Sequence, residues 1–350
     1  MYDVSAKHIL QELAEETRNY SKEVGRKYYL IAESDLNDIK ITKSIDLGGY
    51  GLDAQWSDDF THSLRSLLTG EQQAYYMDFG KIEHLVKAYK EGFVCSDMYS
   101  EYRQKNHGNS SKSMPADRFV VFLQNHDQIG NRMLGERLND LMDYESFKLA
   151  AGNIFMSPFI PFLFMGEEYA EDNPFLYFVH HSDEDLVKGV REGRKNDFKA
   201  FNWQGEAPDP QAEETFQNSK LDWSKRNQGK HKVMLDLYKE LICIRKKHPA
   251  ICKLDKDRLI VQGFESIKVM SVQRWGEEED NSHIFIIFNF NNQDVELDLK
   301  YFINENDWKR IFDSSEEKWN GPGSDMPEVL NSDQKINMRR RSFTIYQRGN

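Results

Sequence analysis

The sequence predicts an α/β chain: four strand–helix units of the (β/α)8 TIM-barrel type, half the usual number, followed by a small antiparallel β-sandwich. Three observations predict it. Short apolar runs recur that end abruptly in acids and amides, as parallel strands do where they leave a buried sheet. Amphipathic helical periods lie between them. From about Leu259 the pattern changes to β-type runs divided by turn residues. The barrel-like part is assigned to residues 1–255, with a long loop excursion around 171–230, and the sandwich to residues 256–350.

The chain opens with a helix. From Ser5 to Val24, apolar residues (Ala6, Ile9, Leu13, Tyr20, Val24) repeat at three and four, with Asp3 or Ser5 as cap and Gly25 as terminator. Tyr28 to Ala32 follows as a buried strand, and Glu33 is the first polar side chain past it. Gly48-Gly-Tyr-Gly51 leads into a short strand near Trp56. These glycines match no phosphate loop, so they are expected to let backbone segments approach closely. Helices are predicted from Asp58 through Leu68, closed by Gly70, and from Lys81 to Glu91.

Asn106 to Pro115 is a loop, Phe119 to Leu123 a buried strand, Glu145 to Met156 a helix and Pro161 to Met165 a strand. The excursion is broken by Pro174, Pro208 and Pro210, and a connection of that length is more often functional than idle. Lys232 to Lys247 is a helix whose basic end, Arg245 to His248, suits the helix dipole. Strands are predicted at Ile267–Trp275, His283–Phe290, Val295–Leu299 and Arg341–Gln347. Trp275–Asn281 is read as an acidic loop, and Arg339-Arg-Arg341 as a solvated approach to the last strand.

The chemistry concentrates after the strand at Phe119. Gln124-Asn-His-Asp-Gln-Ile-Gly-Asn-Arg132 places seven polar side chains in nine positions directly past a buried strand. In a barrel this carboxyl end is where catalytic groups sit. Glu33 repeats the pattern, Gly166-Glu167-Glu168-Tyr169 repeats it again, and Trp56, Asp58, Asp59 and His62 are expected at the same end. Two or three carboxylic acids with a histidine are the equipment of glycoside hydrolysis. One acid must hold a proton for the leaving oxygen while another stays ionised, and neighbouring carboxylates push each other's pKa apart. Asp58, Asp59, His62, His126 and Asp127 include metal-ligating types, but no HExxH or DxDxDG spacing accompanies them, so neither metal nor other cofactor is expected.

Composition narrows the partners. A net charge of −12 argues against a nucleic-acid backbone, and 13% aromatic content suits a stackable ligand such as a sugar. No apolar run reaches the ~20 residues needed to span a bilayer, so no membrane partner is expected. The amino terminus has no basic or apolar leader pattern, and Cys95, Cys243 and Cys252 form no CxxC pair. Both features place the protein in the cytoplasm with reduced thiols.

These motifs resemble a known family. Tyr29-Leu-Ile-Ala-Glu33 resembles the third conserved region of the α-amylase superfamily, and Phe122-Leu-Gln-Asn-His-Asp127 the fourth. Glu33 to Asp38, Gly51 to Phe60, Gln124 to Arg132, Leu163 to Tyr169, Pro174 to Phe178 and Val190 to Arg194 resemble the malto-oligosyltrehalose trehalohydrolase family within it, over nearly the whole chain. By this resemblance Glu33 is the proton donor and Asp127 the acid that steadies the transition state. His62, Asp59, His126, Gln128 and Asn131 then contact sugar. Trp56, Asp58, Asn125, Arg132 and Glu168 complete the substrate-binding candidates. The implied substrate is maltooligosyl trehalose or a related α-glucan, cut at the α-1,4 bond beside a terminal trehalose unit without a metal.

Two departures matter. Thr61-His62 stands where the family shows His-His. The family's first and second conserved regions, with the nucleophilic aspartate on the fourth barrel strand, find no match before the opening helix. The expectation is therefore a carboxyl-terminal half, strands five to eight. That half is inactive alone, and a separate polypeptide carrying the amino-terminal half is a candidate partner. A non-catalytic maltooligosaccharide-binding remnant and another glucan enzyme of the superfamily are the alternatives.

Overall fold

The computed structural model describes residues 3–200, 207–277, 282–304 and 307–348, with backbone alone over 197–200. Of the predicted acidic loop at Trp275–Asn281, residues 278–281 lie outside the described residues.

The opening helix, α1 (Ile9–Val24), begins later than its periodicity suggested. His8 caps it by accepting from Leu10 N, and Asp3 instead accepts from Ser5 N and Ile9 N. Gly25 ends it at φ 65°, the left-handed conformation a glycine tolerates. Four short parallel strands follow at intervals. These are β1 (Ile31–Ala32), β2 (Ala54–Trp56) and, after an antiparallel hairpin β3 (Met98–Ser100) and β4 (Lys105–His107), β5 (Phe119–Val121) and β6 (Ile160–Pro161). Their order is β1-β2-β5-β6, with Ile31 opposite Ala54, Gln55 opposite Phe119 and Val120 opposite Ile160. Because all four run the same way, Glu33, Asp58, the stretch from Gln124 and the turn after β6 emerge at one end of the sheet.

The helices after β2 are α2 (Asp58–Thr69) and α3 (Ile82–Glu91). After β5 come α4 (His126–Gly130), α5 (Leu138–Leu141) and α6 (Tyr144–Met156). The Gly48–Gly51 turn does need its glycines: a Cβ on Gly49 would lie 2.0 Å from the Lys43 carbonyl oxygen.

Two sequence expectations fail here. The run Tyr28–Ala32 is not a buried strand. Only Ile31–Ala32 pairs, on the edge of the sheet, leaving Tyr29 61% and Ile31 50% exposed. The polar stretch after β5, for which no element was predicted, forms the one-turn helix α4, because Asn125 caps it through Gln128 N at 2.9 Å. The 171–230 excursion contains α7 (Glu184–Ala200) and α8 (Glu213–Asn218). Among its described residues it folds on itself through Val179 N to Pro210 O, a Gln211–His181 pair and an edge-on ring series of Phe164, Phe175, Phe178 and Phe216.

The helix α9 (Gly229–Lys247) and the short α10 (Pro249–Cys252) lead into the β-rich region. Its strands are β7 (Leu259–Phe264), β8 (Val269–Trp275), β9 (His283–Asn289), β10 (Val295–Asp298), β11 (Trp308–Asp313), β12 (Val329–Leu330), β13 (Lys335–Met338) and β14 (Ser342–Arg348). Six form an antiparallel sheet in the order β12-β11-β14-β9-β8-β7, and β10 pairs with β13 in a two-stranded sheet. In β9, Ile284, Ile286 and Phe288 enter the large core shared with α2, α3, α6 and α9, while Phe285 and Ile287 enter a second core with β10 and β13. That is why β9 reads as a continuous apolar run: both of its faces are covered.

Two basic residues behave differently from their sequence reading. Arg245 does not serve its own helix end. Its guanidinium is buried and donates to the carbonyls of Phe155, Ser157 and Phe159, closing the end of α6. Arg341 is not solvated: it donates to Asn292 Oδ1 and Leu67 O and is buried. Among the described residues no helix is long and apolar enough to cross a membrane.

Candidate active site

The site is assembled from strand ends. Glu33 follows β1, and His126 and Asp127 open α4 just past β5. His126 Nε2 lies 3.9 Å from Glu33 Oε1 and 3.6 Å from Asp127 Oδ1. One oxygen of each carboxylate and one histidine nitrogen all fall within 4.8 Å of one another, and all three side chains are exposed. Beneath them Trp56, the last residue of β2, sets its ring 5.2 Å from Phe122, 5.5 Å from Phe162 and 6.2 Å from His126. The arrangement is two acids and an imidazole above an aromatic floor, open to solvent. It can exchange protons with a bound ligand and stack a sugar face. The same three groups are the ones among the described residues that could ligate an ion.

Asp58 and Asp59 part company because successive helical residues differ by about 100° in direction. Asp58 remains partly buried at the site. Burial, then the charges of Asp59, Asp35, Glu33 and Asp127, raises its carboxyl to about 7. Asp59 is withdrawn from the cleft, contrary to its reading as a sugar contact. Its Oδ2 accepts from Asn37 Nδ2 (2.9 Å), Val94 N (2.8 Å) and Cys95 N (2.6 Å), and it is buried. Burial raises its pKa against those three hydrogen bonds, which lower it. His62 sits half-buried in a ring cluster. Its ring stacks on Tyr75 at 4.9 Å and meets Tyr76 and Phe79 edge-on, and burial lowers it to about 3, so it is neutral.

Asn125 is a helix cap rather than a free amide. Gln128 is buried, yet both its side-chain atoms lack hydrogen-bond partners. It lines a recess with Arg65, Glu71, Tyr75, Tyr76, Asn131 and Arg132. Arg132 pairs with Glu71 at 3.1 Å and Glu136 at 3.4 Å. Glu168 lies on a single 3-10 turn, Glu167–Tyr169, after β6. Its neighbour Glu167 is buried, accepts from Tyr238, and is raised by burial to about 8, so it is neutral at pH 7. Glu71 and Tyr75, which no strand-end pattern in the sequence marks, also line the Gln128 recess. Arg194 reaches the site from α7, donating to Asn131 Oδ1 and Gly130 O.

A parallel sheet carrying paired acids at its carboxyl end has a counterpart among known proteins. The family model for the alpha amylase catalytic domain matches residues 55–254, and the chain belongs to that family. Within it, the curated relatives are named malto-oligosyltrehalose trehalohydrolase. That of Saccharolobus solfataricus is 47% identical over 250 residues, covering 71% of this chain and 42% of the relative. That of Rhizobium sp. (strain M-11) is 39% identical over 300 residues, covering 85% and 49%. The chain thus spans about half the length of the curated relatives it matches. Among solved structures, a putative alpha amylase from Salmonella typhimurium superposes with a TM-score of 0.80 at 31% identity, over 99% of this chain and 55% of that one. The catalytic module of the pneumococcal virulence factor SpuA shares the fold, with a TM-score of 0.60 at 16% identity.

Proposed function

We propose that the chain carries part of the catalytic centre of a malto-oligosyltrehalose trehalohydrolase, with Glu33 as proton donor and Asp127 as the acid that steadies the oxocarbenium-like transition state. The single observation that supports this best is the Glu33–His126–Asp127 cluster, its polar atoms within 4.8 Å at the carboxyl ends of parallel strands. Trp56 offers the stacking platform. The substrate is maltooligosyl trehalose or a related α-glucan, and the product trehalose.

The reaction needs a further carboxylate as nucleophile, and we propose that polypeptide outside residues 1–350, such as a separate chain carrying the amino-terminal half, supplies it. The supporting observation is the apolar edge at β1, where Tyr29 and Ile31 face solvent. An uncovered parallel edge is the kind of surface a further strand covers. A cytoplasmic location fits the acidic composition and sparse cysteines.

The test is trehalose release from maltooligosyl trehalose. The purified chain alone is expected to release none. Co-expression with the amino-terminal half of the Saccharolobus solfataricus relative is expected to restore release, and Glu33→Gln to reduce the restored rate by about 10²–10⁴-fold. Robust release by the pure polypeptide overturns the need for a partner. Undiminished release in the Glu33→Gln variant overturns the proton-donor role. Maltooligosaccharide binding without turnover in every combination favours a non-catalytic binding role.

A further inference from the structure

We infer that Arg194, carried by the excursion helix α7, is a positioning residue that sets the amide of Asn131 so that it donates to Asp127. This rests on the reading of Asp127 as part of the centre. Three contacts carry it. Arg194 Nη1 donates to Asn131 Oδ1 at 3.0 Å, Arg194 Nη2 donates to Gly130 O at 2.7 Å, and Asn131 Nδ2 faces Asp127 Oδ1 at 3.4 Å.

The oxygen and nitrogen of an asparagine amide have nearly the same shape, so its orientation is decided by its partners. Guanidinium nitrogens only donate. The atom of Asn131 that meets Arg194 must therefore be the oxygen, which turns the amide nitrogen toward Asp127. Without Arg194 nothing in this trio prevents the flipped amide, which would turn an oxygen toward the carboxylate and repel it.

The geometry also explains why an arginine stands there. Its planar fork spans two oxygens, one of a side chain and one of the α4 backbone, and an ammonium presents no such fork. The guanidinium itself is steadied from behind: its carbon lies 4.6 Å from the centre of the Tyr177 ring. The helix that carries it is pinned by a bidentate pair, Arg191 Nε to Asp209 Oδ1 at 2.8 Å and Arg191 Nη2 to Asp209 Oδ2 at 2.6 Å. The excursion therefore acts as a strap whose fastening point is the residue four positions beyond Asp127.

The experiment combines a double-mutant cycle on maltooligosaccharide affinity with the NMR signal of the Asn131 side-chain amide, both on the full chain. Arg194→Ala and Asn131→Ala are each expected to weaken binding by about fivefold, and the double variant no further, because they remove one interaction. Arg194→Lys is expected to remain weak. In the Arg194→Ala spectrum the Asn131 amide pair should shift and exchange faster, while β9 core amides stay unchanged and so report an intact fold. Additive losses in the cycle, full rescue by lysine, or an unmoved Asn131 signal would each overturn the inference. Should maltooligosaccharide bind neither to the unaltered chain nor to the chain co-expressed with the amino-terminal half, the glucan reading fails. The Asn131 signal then decides on Arg194 by itself.

Discussion

Asp58 is a side chain at the site whose chemistry is strongly altered by its surroundings. Its carboxyl rises from 3.8 to about 7, first through burial and then through four neighbouring carboxylates. An acid with a raised folded pKa gives up its proton more readily when unfolded. Ionisation therefore works against the fold from about pH 4 upward, and the cost is complete above pH 7. Asp58→Asn is expected to leave stability nearly unchanged at pH 4 and to raise the melting temperature at pH 8, as thermal unfolding at the two pH values will show. An equal gain at both would mean that the raised proton affinity is not what the substitution removes. Asp59, one residue on, is also raised by burial, but its carboxyl is turned away from the cleft and accepts from two backbone N–H groups and an amide.

Among the elements, α6 is gripped most closely. It is buried along most of its length, its end is closed by the Arg245 guanidinium, and its Gly152 faces the ring of Phe343 in β14. A Cβ there would lie 2.5 Å from the ring. Gly152→Ala gains helix propensity but overpacks the contact, and a net loss of about 1–3 kcal/mol is expected in urea unfolding. Unchanged stability would mean that the ring yields freely. Helix boundaries were legible because their stop signals are local: Gly25 and Gly70 both end helices at positive φ. α7 was not, because its acidic and basic residues dominate a face that meets solvent, and among its described side chains only Val187, Val190 and Arg194 are half-buried.

The chain as a whole buries its cores unevenly. The β-rich region is covered on both faces of β9, whereas β1 lies at an edge with Tyr28, Tyr29 and Ile31 exposed, and Ile9, Leu13, Tyr20 and Val24 of α1 are exposed as well. Apolar exposure at a sheet edge promotes association. Ile31→Lys is expected to change stability by no more than about 0.5 kcal/mol while raising the concentration at which light scattering detects self-association. A large loss of stability would instead show that Ile31 is covered in solution. The presence of parallel strands ending in acids was readable from the sequence, because a buried run followed by carboxylates declares both the strand and its direction. How well each strand is covered was not, since an apolar run looks the same at an edge as at the centre.

The sequence by itself determined where the acids and the histidine of the candidate site lie along the chain: Glu33, His126 and Asp127 each follow an apolar run that announces a strand. That information is local, held within about ten residues. The tertiary structure alone decided which neighbours joined them. Asp59 was drawn inward by backbone N–H groups of Val94 and Cys95, and His62 into a ring cluster with Tyr75, Tyr76 and Phe79. Arg194 was brought back across 63 residues to Asn131, and Arg341 across 274 residues to Leu67. Hydrogen bonds and ring contacts act over a few ångströms of space whatever the separation along the chain, so no local pattern could have announced them.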